Sequence, residues 1–127
     1  MTGYVISPTT RVVYTFFSGR LTKKDIIQHG AALKADPKFK SSFAEIVDLR
    51  GVTKMDLGFA ELNDLNARDI DPFSRDSKRA VIAPRGGVAF GITRMWQMVA
   101  QKEETVRIFG NRKEAEDWVL DNDPKVG

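Results

Sequence analysis

Two carboxylates, Asp48 and Asp56, flank the short stretch Leu49-Arg50-Gly51-Val52-Thr53-Lys54-Met55, and they are the first residues in this chain whose types could do chemistry. A carboxylate pair can divide general acid and base work, or hold Mg²⁺ through oxygen, if both groups converge on a substrate. Each also has a simpler reading. Asp56 suits the N-cap of a following helix, and Asp48 can accept hydrogen bonds from loop N–H groups. Ser7, Ser18, Ser41, Ser42, Ser74 and Ser77 have no base at a recognisable spacing, and neither a P-loop, a GxSxG elbow nor a dinucleotide fingerprint occurs. A hydrolase-type enzyme using Asp48 and Asp56 therefore ranks last among the readings, and no catalytic residue, cofactor or metal is expected.

Other residues suit binding better. Arg85-Gly86-Gly87 precedes an expected helix and offers backbone N–H groups and a guanidinium to an anion. Phe90 and Arg94 fall one turn apart on the face of that helix expected to be polar, where they could line a pocket or anchor a partner. The single histidine, His29, has no second ligand or base at useful spacing and reads as a boundary residue. Without cysteine the chain forms no disulfide or thiolate site. Net charge is +3 with the basic residues scattered, so no nucleic-acid footprint is expected. No apolar run is long enough to span a membrane and the N-terminus is too polar for a signal peptide, which together predict a cytoplasmic location.

The elements that must position these residues follow from pattern. At 127 residues the chain reads as one domain, 1–127. Tyr4 to Ile6 and Arg11 to Phe17 read as a hairpin across Ser7-Pro8-Thr9-Thr10, with Gly19 breaking the second strand. Thr22 and Asp25 resemble a capping box for a helix to Ala35 that buries Ile26, Ile27, Ala31 and Leu33, with Gly30 placed for close approach to the sheet. Phe43 to Leu49 is a compact apolar strand, and a helix from Asp56 to Arg68 would turn Phe59, Leu62 and Leu65 inward and leave Leu57 with the polar set. Arg79 to Ala83 and Thr105 to Phe109 are further short strands. Between them a helix over Val88 to Gln101 is expected to bury Val88, Ile92, Met95 and Val99, with Thr93 and Gln97 outward. Phe73, apolar in a polar loop, is expected to fold over Phe90. Asn111 and Glu114 cap the last helix. The order β-β-α-β-α-β-α-β-α predicts an α/β fold, a mixed, mainly parallel sheet with an antiparallel N-terminal hairpin and about four helices.

Ile46-Val47-Asp48-Leu49-Arg50-Gly51-Val52 with Met55-Asp56, the run Phe90-Gly91-Ile92-Thr93-Arg94-Met95, and the strand, cap and helix from Val106 to Trp118 together resemble the STAS superfamily in its SpoIIAA-like branch. In anti-sigma-factor antagonists of that superfamily, the aspartate precedes two serines, one of which a kinase phosphorylates. Here Leu57-Gly58 stands at that place, so the resemblance implies a regulatory or binding module without the phosphoswitch. Thr53 nearby reads as a turn residue. The superfamily is also similar in fold to CRAL-TRIO lipid carriers, which implies the alternative of a carrier or sensor for a small anionic amphiphile or lipid.

Three readings follow. The first is a non-enzymatic module that binds a regulatory protein or a second copy of itself as a homodimer. The second is a carrier whose pocket lies at the strand C-termini, with Arg50, Asp56, Arg85, Gly86, Gly87, Phe90 and Arg94 as candidate binding residues. The hydrolase is the third.

Overall fold

The strands lie side by side in the order in which the chain makes them. In the computed structural model, which describes residues 1–120, β1 (Thr2–Ser7), β2 (Val12–Leu21), β3 (Ala44–Met55), β4 (Arg79–Ile82) and β5 (Val106–Phe109) form one sheet ordered β1-β2-β3-β4-β5. Only β1 is antiparallel to its neighbour; each later pair is parallel. The crossovers are α1 (Lys23–Ala35), α2 (Phe59–Ala67) and α3 (Val88–Val99), and α4 (Arg112–Val119) follows the last strand. The fold class is the mixed α/β arrangement expected from the sequence.

Right-handed crossovers place successive helices on one side when a sheet grows in one direction. Accordingly α1, α2 and α3 share a face, where Phe17, Val47, Val81 and Val106 pack with Leu57, Leu65 and Ala89. On the opposite face α4 packs Ala115 against Ile46, Ala80 and Ile82. A third apolar cluster, of Val13, Leu33, Phe43 and Phe73, closes the end of the helical layer nearest the strand N-termini.

Local signals explain much of this. Thr22 and Asp25 form a reciprocal capping box at the start of α1, and Asn111 accepts the Glu114 N–H at the start of α4. Several boundaries differ from expectation. Both β2 and β3 run on past their glycines, because they pair with each other as far as Leu21 and Met55. Two register shifts make this possible. Phe16 pairs with Asp48 and Ser18 with Gly51, while Gly19 pairs with Val52 and Arg20 with Lys54, so β3 carries an extra residue at each step. The first shift reverses the alternation and returns Val52 to the core face beside Leu49. It also brings β2 so close that a Cβ on Gly51 would sit 3.1 Å from that of Ser18.

Helix α2 consequently starts later, at Phe59, with Gly58 rather than Asp56 as N-cap; the Glu61 side chain accepts the Gly58 N–H at 2.7 Å. This rotates the expected faces. Leu57 is buried, and Phe59 is 62% exposed. Helix α3 is rotated as well. Thr93 and Gln97 are buried while Val88 and Met98 are exposed, because Thr93 donates to the Ala89 carbonyl at 2.8 Å and Gln97 to the Val106 carbonyl at 2.5 Å. In α1, Ala31 is exposed, and Gly30 lies against the Ile70 carbonyl of the α2–β4 connection. Phe73 packs with Val13, Leu33 and Phe43 rather than over Phe90.

Candidate functional site

Along the face of the sheet beneath α1, α2 and α3, β3 presents Glu45, Val47 and Leu49, and β4 presents Arg79, Val81 and, just beyond its end, Ala83. Glu45 and Arg79 stand opposite each other in register at the start of their strands. Glu45 is 2% exposed and Arg79 8%. Two charges so deeply buried are tolerated only when paired and hydrogen-bonded.

Both conditions are met. Arg79 donates from Nε at 3.0 Å and Nη2 at 2.9 Å to Oε1 of Glu45, and from Nη1 at 2.7 Å to Asp71 Oδ2. Lys102 Nζ reaches the same Asp71 oxygen at 2.7 Å. The guanidinium lies over the Phe73 ring at 4.2 Å and near that of Trp96 at 5.3 Å. On the other side of Glu45, Oε2 accepts from the Thr15 hydroxyl at 2.7 Å and lies 3.2 Å from His29 Nε2.

The cluster sets its own ionisation. Burial pushes the Glu45 carboxyl up, but the Arg79 charge and the bonds from His29 and Thr15 outweigh it and hold it below the usual carboxylate range. Asp71 follows the same balance, with burial opposed by Arg79 and Lys102, and is also lowered. For Arg79, burial pulls downward and the two carboxylates more than reverse it. Both acids and the guanidinium are therefore charged inside the protein.

Beside this cluster lies a cavity of about 390 Å³ between the sheet and the three helices. Its walls are apolar, from Val47, Leu49 and Val81 of the sheet, Leu62 and Leu65 of α2, and Ile92 of α3. Its polar end consists of His29, Glu45, Asp71, Arg79 and Lys102, and exposed Asn66, Asp69 and Arg75 mark its rim. A cleft with mostly apolar walls and a few convergent polar groups is the usual form of a small-molecule site.

The cavity reaches Leu21 and Met55 at the C-terminal ends of β2 and β3, but its lining residues are not those the sequence predicts. Of the residues expected to bind, Arg50 pairs with Asp48 at 2.7 Å, and Asp56 pairs with Arg20. Arg85, Gly86 and Gly87 form an exposed turn, with Gly86 at φ 80° and Gly87 as the N-cap of α3. Phe90 is half-buried and Arg94 exposed, and none of these seven residues lines the cavity. The polar end sits at the N-terminal ends of β3 and β4, not at the strand C-termini. At the place of the phosphorylatable serines, Leu57 lines the cavity and Gly58 caps α2. Thr53 is exposed on β3. Asp48 and Asp56, each held by its own arginine, do not form a joint site.

His29, read as a boundary residue, lies at one end of the cluster, against Glu45 and Thr15, with its side chain 10% exposed. Glu45 carried a usable signal: it shares its pleat face with Val47 and Leu49 in an otherwise apolar strand, and a charge there must find a partner. Arg79, opening another buried strand, was the partner to seek.

No family model matches the chain, and no curated protein matches it. Among solved structures it is similar to an uncharacterized protein from the DUF3478 family with a SpoIIAA-like fold, from Shewanella loihica PV-4. The TM-score is 0.61 at 17% identity, covering 94% of this chain and 92% of that one. The chain thus has a SpoIIAA-like fold, in agreement with the resemblance in its sequence. Among the described residues, no helix is long and apolar enough to cross a membrane.

Proposed function

We propose that this protein is a non-enzymatic binding module, a carrier or sensor that holds a small apolar molecule bearing one polar group in the cavity beneath α1, α2 and α3. The observation that carries this reading is the cavity itself, whose apolar length ends in a fixed polar cluster. Its volume of about 390 Å³ lies in the range of small-ligand sites, which runs from roughly 300 to 1,000 Å³. The likeness of the superfamily's fold to lipid carriers favours the same class of ligand, and the separate engagement of Asp48 and Asp56 weighs against hydrolysis. Titration with medium-chain amphiphiles, followed by amide chemical shifts, tests the reading. Shifts should concentrate at Val47, Leu65 and Ile92, and Ile92→Trp should abolish them while the variant keeps its fold. Shifts scattered over the outer surface would remove the reading.

A second reading, contact with a regulatory protein or a second copy, is favoured by three exposed apolar side chains on α2 and α3. Phe59 is 62% exposed, Val88 51% and Met98 66%. A concentration-dependent sedimentation coefficient that Met98→Glu abolishes would support self-association.

A further inference from the structure

The outer edge of the sheet leaves a row of backbone groups unanswered. Met1 and Ser18 exchange both of their backbone hydrogen bonds, each at 2.9 Å, which fixes the phase of the ladder between β1 and β2. Exchanging pairs alternate along an antiparallel ladder with pairs that do not bond, so Gly3, Val5 and Ser7 bond to β2 while Thr2, Tyr4 and Ile6 turn their N–H and C=O groups away from it. Among the described residues, no backbone group of another element bonds to them. The edge also lacks the devices that keep such a row apart from other strands. β1 holds no charged residue and no proline, and its register with β2 runs without a bulge. The opposite edge is protected: β5 has only four residues, and Arg107 is one of them.

β1 is complementary to itself. Set antiparallel to a second β1 about a two-fold axis at Tyr4, each Thr2 meets Ile6 of the second copy, and Thr2, Tyr4 and Ile6 exchange their free bonds across the axis. The same register places Gly3 opposite Val5 of the second copy, both on the outer face of the sheet. Over Gly3 lies the Phe16 ring, in the space that a Cβ would need. Val5 of the second copy therefore rests against that ring, and the symmetry repeats the contact. In the single chain Val5 is 65% exposed and Phe16 44%. With no charge on β1, two like strands meet without repulsion.

From this geometry we propose that two copies of the chain join through β1 into a two-fold dimer with one continuous sheet, in register about Tyr4. Main-chain bonds supply the affinity, and the contact of Val5 with Gly3 and Phe16 fixes the register. A second copy suits the edge better than an unrelated strand, because the projection at Val5 and the gap at Gly3 lie equally far on either side of Tyr4, so that one β1 answers both features of another. This surface is separate from α2 and α3, and the inference is independent of what the cavity holds. The edge is short, which makes the dimer reversible rather than permanent.

Sedimentation velocity of the full chain from about 1 to about 500 μM reads the association, and amide hydrogen exchange at both ends of that range reads its geometry. The weight-average mass should rise from one chain toward two, while exchange at the Tyr4 and Ile6 amides slows by about 10-fold or more. Val5→Lys, an exposed change that sets a charge on the edge, should raise the dissociation constant by about 10-fold or more. Thr2→Pro removes an N–H that β2 does not use and should weaken the dimer as well. Met98→Glu should leave it unchanged. A chain that stays monomeric across the whole range would overturn the inference. So would a dimer that Met98→Glu dissolves and Val5→Lys does not, or one whose Tyr4 and Ile6 amides exchange as freely as in the monomer. If an edge variant fails to fold, the exchange pattern of the wild-type chain decides alone.

Discussion

A single pair, Glu45 and Arg79, decides more about this protein than any other two residues. Removing one partner leaves the other charge buried with part of its pairing lost, and breaking such a buried pair typically costs about 3–5 kcal/mol. Glu45→Ala should therefore lower the unfolding free energy by roughly that amount in urea melts. The double variant Glu45→Leu with Arg79→Met should be more stable than either single change, because Asp71 keeps Lys102 as its partner. The same groups set a pH dependence. Glu45 and Asp71 are lowered in the folded state, so their contribution is complete above the unfolded carboxylate range and is lost as pH falls through that range and below it. Urea midpoints should thus hold from neutrality to about pH 5 and decline further down; the decline should be weaker in the double variant. The sequence carries half of this, a glutamate on the pleat face of Val47 and Leu49, but does not say which remote residue answers its charge.

Among the elements, the ones with self-contained signals were legible. The caps of α1 and α4 and the short buried strands needed no tertiary information. What the sequence alone does not give is which helix face and how much strand length a neighbour selects. A hydropathy wheel ranks Thr93 and Gln97 of α3 as outward, but they satisfy their polar atoms on backbone carbonyls and packing turns them in. The extension of β3 is hidden because Gly51 reads locally as a turn, whereas in the sheet it lies where β2 leaves no room for a side chain without a shift. Gly30 offers a test at this scale. Exchanging a helical glycine for alanine ordinarily stabilises by about 0.5–1 kcal/mol. Here a Cβ would lie 3.0 Å from the Ile70 carbonyl, a backbone atom of the connection that also carries Asp71 and Phe73. Gly30→Ala should instead destabilise, by roughly 1–2 kcal/mol in urea melts, with amide shifts spreading to Ile70 and Asp71.

The whole molecule sets where the cavity lies. Ligands in open α/β sheets favour the crevice where the strand order reverses. Here the order β1-β2-β3-β4-β5 never reverses, so that crevice does not form. Three helices share one face, and the cavity opens within their layer against the sheet. Among the described residues the opposite face has only α4, which packs on β3 and β4, and Phe16, on the outer side of β2, is 44% exposed.

The same unbroken order bears on how the chain reaches this state. Each strand joins the one made just before it, so no pairing must wait for a distant segment to arrive. Each closure bridges a single intervening connection, and the entropy lost grows only slowly with its length. Contacts of this kind favour rapid assembly for a mixed α/β domain. The buried ion pair spans β3 and β4 and can form only after β3, α2 and β4 have been made, which sets it at the middle of the chain's assembly.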